Sequence, residues 1–214
     1  HSSNRRQRQM CIRDRSGTIE VTNIGATNAG ASSTVAIGNS TTNTLTLDGT
    51  VYKSTGSQTY TAKTGGGNID ITGAATFTTS ADNIEFATSG VDLSANVTIT
   101  TGTGTNIGDV DFGGAIETDN GSRTLTITSG AGDVTFSEAI GLTNSLGGLD
   151  VNSTAGDGDG DIIFTKAIGD TSAGVAGTTA VGNSSTNQIR FLENTYTFGT
   201  GATTFTTAAG DKIV

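Results

Sequence analysis

"GDVDFGGAI" (Gly108–Ile116), "GDVTFSEAI" (Gly132–Ile140) and "GDIIFTKAI" (Gly160–Ile168) are three versions of one segment, recurring at a nearly constant interval. The second interval is longer than the first by the "GDGD" at 156–159. Apolar and polar residues alternate in the first copy, so that Val110 and Phe112 share one side of an extended chain and Asp109 and Asp111 the other. After it, "GAIET" reads as a second short strand, and "RTLTIT" as a third with Leu125 and Ile127 opposed to Thr124, Thr126 and Thr128. The unit is therefore three half-buried strands joined by Gly-, Asp- and Asn-rich turns. No unit carries a helical pattern, which excludes a βαβ architecture.

Weaker copies extend the repeat along the chain: "GTIEVTNI" from Gly17, "NTLTLDGTV" from Asn43, "GNIDITGAA" from Gly67, "DNIEFATSG" from Asp82 and "NQIRFLENT" from Asn187, with a last one beginning at Asp211. Aligned, they give one inward column of Ile19, Leu45, Ile69, Ile84, Val110, Val134, Ile162 and Ile189. A second holds Val21, Leu47, Ile71, Phe86, Phe112, Phe136, Phe164 and Phe191. One unit cannot enclose a core with so few apolar side chains, but stacked units can, each burial contributing on the order of 1.5–3 kcal/mol. The fold expected is all-β: a β-solenoid (parallel β-helix) with three short strands per coil of about 24 residues. A longer echo supports it. "AIGNSTTNTLTLDGTVYKSTGSQTYTA" from Ala36 matches "AVGNSSTNQIRFLENTYTFGTGATTFTT" from Ala180, an offset read as six whole units. The stretch from Gly67 to Gly108 fits the period poorly and reads as two short units or one distorted one.

Composition bounds the function. The chain has 214 residues, net charge −9, 32 Gly and no Pro or Trp. Five of its eleven basic residues lie within residues 1–15, leaving six basic against nineteen acidic side chains in the remainder. An acidic body without clustered Lys or Arg does not suggest a nucleic-acid binder, and no apolar run is long enough to span a bilayer. The leader "HSSNRRQRQMCIRDR" holds the only His, Cys and Met and lacks a signal peptide's apolar core. Its "RQMCIRDR" resembles a translated sequencing adapter, so residues 1–15 are expected to be a non-native or disordered leader and 16–214 the repeat domain. His1 in place of an initiator Met, and a pattern already running at Gly17 and cut at Val214, suggest a slice truncated at both ends, whose open coils would self-associate.

The "GDVTFxxAIG … LxLxVxxxxGD" rhythm of residues 16–214 resembles the β-helical repeats of very large bacterial surface adhesins, the filamentous-haemagglutinin-like proteins. The resemblance implies a right-handed parallel β-helix, secretion to the cell surface, and a stalk or adhesive role without catalysis. Its implied partners are neighbouring repeats of the same chain and host or surface glycans or proteins, with no nucleic acid and no membrane insertion.

Three sets of residues compete with a purely structural reading. Asp109, Asp133 and Asp161 would stack on successive coils with Asp157 and Asp159 nearby, and hard cations favour such oxygens, which makes these five the calcium candidates. Against calcium, the aligned column also accepts Thr18, Thr44, Asn68, Asn83 and Gln188, as expected of turn residues bonding local backbone. Asp109, Asp111 and Asp133 would suit a β-helical enzyme that cuts acidic polysaccharides, but an open strand face offers little desolvation to raise a carboxyl pKa. Thr98 and Thr100 beside Thr124 and Thr126 would form an outward grid able to organise ice-like water, interrupted in the next unit by Asp150 and Asn152. The sequons at Asn39 and Asn183 are weak signals, and no phosphate-binding glycine motif is present. No catalytic residue and no cofactor other than calcium is expected.

Overall fold

The computed structural model describes residues 17–25, 30–88 and 90–214; the leader at 1–15 lies outside them. The described residues contain no helix. Short parallel strands wind into a solenoid with three faces, visited in a fixed order on every turn. Face one pairs Thr18–Val21, Thr44–Leu47, Asn68–Ile71, Gly90–Leu93 and Ala115–Thr118, and is prolonged by the single parallel bridges Ile116–Ile140, Ile140–Ile168 and Ile168–Tyr196. Face two pairs Val51–Lys53, Thr76–Thr78, Val97–Gly102, Thr124–Ser129, Leu146–Val151, Val175–Val181 and Thr203–Phe205. Face three pairs eight strands, one per turn: Val35–Gly38, Gln58–Thr61, Ile84–Ala87, Val110–Phe112, Val134–Phe136, Ile162–Phe164, Gln188–Phe191 and Lys212–Ile213. Turns vary in length, short from Ile69 to its partner Val91 and long from Val151 to its partner Val181, and the slack is taken up in the corners.

The apolar columns are continuous, but aligning the motifs joins two of them into one. Ile19, Leu45 and Ile69 stack on Val91 and Ile116 in face one, whereas Ile84, Val110, Val134, Ile162 and Ile189 stack in face three. The motif changes face between Gly67 and Asp82, so the awkward stretch up to Gly108 is neither two short units nor a distorted one. The long echo shifts in the same way. Ala36 is on face three and Ala180 on face two, five full turns and two strands later, so the offset between them is not six whole units.

The second expected column survives in its aromatic part. Tyr60, Phe86, Phe112, Phe136, Phe164 and Phe191 form an offset stack along face three, with successive centroids 4.8–5.5 Å apart and ring planes within 17°. Parallel strand stacking fixes this spacing, and aromatic pairs at such separations add about 0.5–1.5 kcal/mol each beyond their burial. Val21, Leu47 and Ile71, placed in the same column by sequence, belong to face one.

Among the described residues, the buried side-chain polar atoms are satisfied, with one exception. Gln58 takes an inward position between Val35 and Ile84 and is fully buried. Its amide donates to Tyr52 O at 3.1 Å, Ser54 Oγ at 3.0 Å and Thr78 O at 2.9 Å, and its carbonyl accepts the Tyr60 hydroxyl at 2.8 Å. The corner between faces two and three carries its own internal polar stack. Ser129 N–H donates to Asn152 Oδ1 and Asn152 Nδ2 to Ser129 Oγ, both at 2.9 Å, while Asn183 Nδ2 donates to Asn152 O at 2.7 Å. Asn152 has φ 48°, a left-handed conformation that Asn tolerates. The exception is Thr179, fully buried in face two, whose Oγ1 has no partner. Thr179→Val is expected to stabilise the fold by about 1–2 kcal/mol in chemical denaturation, because it removes an unmet hydroxyl; a lower midpoint would contradict this.

The echoing segments build one corner twice. Gly38 and Gly182 have φ 80° and 74°. Asn39 N–H donates to Thr42 Oγ1 at 3.1 Å and Asn183 N–H to Thr186 Oγ1 at 2.9 Å. The Asn39 and Asn183 side-chain carbonyls accept the N–H of Thr41 and Ser185 at 2.8 and 2.7 Å. The first corner joins faces three and one, the second faces two and three. A Cβ at Gly38 would sit 2.0 Å from Thr61 O, and one at Gly182 2.2 Å from Thr206 O. Gly38→Ala and Gly182→Ala should therefore each cost about 1–3 kcal/mol in denaturant melts. A neutral result at either corner would show that the two turns are not equivalent.

Candidate functional site

Outward side chains form columns on each face, and three of the five calcium candidates share the column at the start of the face-three strands. Asn83, Asp109, Asp133 and Asp161 occupy this column on four successive turns. Each side chain reaches the next turn rather than its own. Asn83 Oδ1 accepts Asp109 N–H at 2.9 Å, Asp109 Oδ1 accepts Asp133 N–H at 3.0 Å, and Asp133 Oδ1 accepts Asp161 N–H at 2.8 Å. The ladder closes where Asn187 Nδ2 donates to Asp161 Oδ1 at 2.6 Å. Expected as turn residues bonding local backbone, these aspartates instead clip one coil to the next with charge-assisted hydrogen bonds. Gln188 is in register with the column, but Asn187 makes the contact, and Thr18, Thr44 and Asn68 lie on face one.

The remaining calcium candidates sit in the adjoining corner. Asp157 accepts Thr154 N–H at 2.9 Å, and Asp159 is exposed, its backbone carbonyl accepting Asn187 N–H at 3.0 Å. Asp133, Asp159, Asp161 and Asp211 line one open groove with Ser185 and Asn187. Asp109 and Asp157 stand outside it. Among the described residues, no three His, Cys, Asp or Glu side chains converge in an arrangement able to hold a metal ion.

Desolvation is stronger on these faces than an open strand suggests. Asp111 lies in the next outward column, in register with Glu85 and Thr135. Burial raises its carboxyl above the ordinary range, the charge of Asp109 adds to the rise, and a hydrogen bond from Thr135 opposes it. Asp133, open to solvent on one side, is also raised, by lost hydration first and by Asp161 and Asp109 after it, against the N–H of Asp161. On face one, burial and then the nearby Asp92 raise Asp70, while Asn68 Nδ2 bridges Asp70 to Asp92, the latter at 2.7 Å. The Glu117 carboxylate accepts Asn144 N–H at 2.7 Å and so fixes the next turn's corner. The opposite shift belongs to Asp119, lowered by Arg123 in a 2.8 Å ion pair on the surface, where screening makes such pairs weak.

Face two carries the threonines, in a register two positions away from the expected one. Thr98 pairs with Thr126 and Thr100 with Thr128, not with Thr124 and Thr126. The array also runs the other way, through Thr76 and Thr78. Asp150 interrupts the grid as expected, though it follows Thr126 in its column, whereas Asn152 turns inward. The two echoing tyrosines are packed rather than displayed: Tyr52 is fully buried and Tyr196 partly so. Each hydroxyl accepts the N–H of the residue three positions earlier, Gly49 at 2.9 Å and Glu193 at 2.7 Å. Of the sequon residues, Asn183 is buried with its amide bonded, and Asn39 is half-buried.

No family model, curated protein or solved structure matches the chain. Its own geometry identifies it as a β-helical repeat protein of about eight turns.

Asp70, Asp111 and Asp133 are all raised from 3.8, so the folded chain binds their protons more tightly than the unfolded chain does. Their contribution to stability is full below the unfolded value and is lost as pH rises through the raised values. Acidification from neutral into that window is therefore expected to raise Tm, and Asp111→Asn to raise Tm at neutral pH while shrinking the acid gain. A Tm that falls steadily on acidification, with the variant no higher than the parent, would contradict the assignment.

Proposed function

We propose that this chain is a structural and adhesive shaft segment of a large secreted or cell-surface bacterial repeat protein of the filamentous-haemagglutinin type, without a catalytic role. The observation that carries the reading is the long internal stack of apolar and aromatic side chains inside a polar exterior. Such a body resists bending and compression along its axis, because each turn rests on its neighbours through backbone ladders and packed columns. With eight turns it extends on the order of 40 Å. Outward columns that differ from turn to turn give distinct contact surfaces along the shaft, suited to surface glycans or proteins. The inward columns pack against those of the neighbouring turns.

Two measurements test this. Pulled from its ends, the chain should unfold in steps of about one turn at forces above those of helical repeat domains. Beads coated with it should attach to glycan- or cell-coated surfaces more strongly than beads carrying an acidic protein of equal charge. Attachment without mechanical resistance would remove the shaft, resistance without attachment would remove the adhesive role, and release of reducing or unsaturated sugar ends from acidic polysaccharides would overturn the non-catalytic reading.

A further inference from the structure

Face two presents a two-dimensional array of identical side chains that neither packing nor coil-to-coil bonding uses. Thr76, Thr98 and Thr126 are in register on three successive turns, and Thr78, Thr100 and Thr128 form the parallel column two positions further along each strand. All six point outward. Phe77, Ile99 and Ile127 between them are fully buried, Thr76 and Thr98 are exposed, and the other four are half-buried. Among the described residues none of the six hydroxyls is engaged in a hydrogen bond with the protein. The strand pairing beneath them is regular, with the register shift falling beyond Thr100. Val51 and Lys53 border the array on one side and Asp150 borders the Thr126 column on the other.

Backbone geometry sets the spacing of this array. Adjacent rungs are about 4.8 Å apart and alternate residues on one strand about 6.6–6.8 Å apart. These dimensions lie near the rectangular oxygen repeat on a prism face of hexagonal ice. Each threonine offers a methyl group and a hydroxyl on a β-branched side chain with restricted χ1, above fully buried core residues. Little rotamer entropy remains to be lost on contact with an ordered surface. Waters held by the hydroxyls and fenced by the methyls would take positions already close to lattice sites. The other faces lack this regularity. The matching column of face one reads Glu20, Thr46, Asp70, Asp92 and Glu117, and that of face three reads Thr59, Glu85, Asp111, Thr135, Ile163 and Arg190. Strongly hydrated charges there hold water in arrangements that do not fit a crystal.

We propose that the Thr76–Thr128 array is an ice-binding surface, with the prism face of ice as its ligand. The proposal does not depend on the shaft reading. The test is partition of the full chain into a slowly growing ice hemisphere, paired with inhibition of ice recrystallisation, for the parent and three variants. Thr98→Lys places a charged side chain at the centre of the array. Thr98→Tyr projects bulk from the same point with a residue favoured in strands, which protects the fold. Thr46→Lys makes the charge change on face one. The parent should be enriched in ice, both Thr98 variants should lose tenfold or more of the enrichment at unchanged circular dichroism, and Thr46→Lys should behave as the parent. Exclusion of the parent from ice, an equal loss in Thr46→Lys, or full activity in the folded Thr98→Tyr protein would each overturn the proposal.

Discussion

Every turn of this chain is incomplete without the next. Strands this short have too little area to fold alone, and their backbone groups find partners only above and below them. The parallel pairing that meets this need also fixes the axial spacing of everything else: the aromatic stack of face three, the aspartate clips beside it, and the threonine columns of face two all repeat at the distance of one strand. Side-chain choice modulates the solenoid, but backbone pairing dictates its lattice.

The outward carboxylates illustrate the division of labour. Stacked like charges repel, and partial burial raises several of these groups, so the column works against folding unless something offsets it. Here the offset is direct. Asp109 and Asp133 each accept the N–H of the next turn, and flanking Asn83 and Asn187 supply amide donors at the ends of the charged run. Acidity on this face is thus compatible with a stable stack, and it leaves the chain with a strongly negative, well-hydrated surface.

Strand existence, alternation and the repeat itself were legible in the sequence, because inward Ile, Val and Phe alternate with outward Asp and Thr at every strand. The Phe86-to-Phe191 column was legible for the same reason. What the sequence did not disclose was which face a motif occupies. "GNIDI" at Gly67 and "GDVDF" at Gly108 carry the same polar–apolar alternation, and nothing in either marks face one or face three. The threonine register went astray because alternation is preserved by a shift of two positions, so only the corner lengths decide between Thr124 and Thr126 as the partner of Thr98. The burial of Gln58, Asn152 and Asn183 was missed because polar residues at strand ends and corners read as solvated, and their burial depends on a neighbouring coil closing over them.

The corner shared by Gly38–Thr42 and Gly182–Thr186 carries this interchangeability into ancestry. Since one short bend serves two different edges of the prism, a duplicated stretch of gene need not contain a whole number of turns to insert without disrupting the stack. A copy of two-thirds of a turn still meets a compatible neighbour, and whatever it displays reappears rotated by a third of a revolution about the long axis. Growth of such a molecule is therefore quantised by the face, in axial increments of about 1.6 Å, and recombination can redistribute its surface patterns around the circumference as readily as along the length.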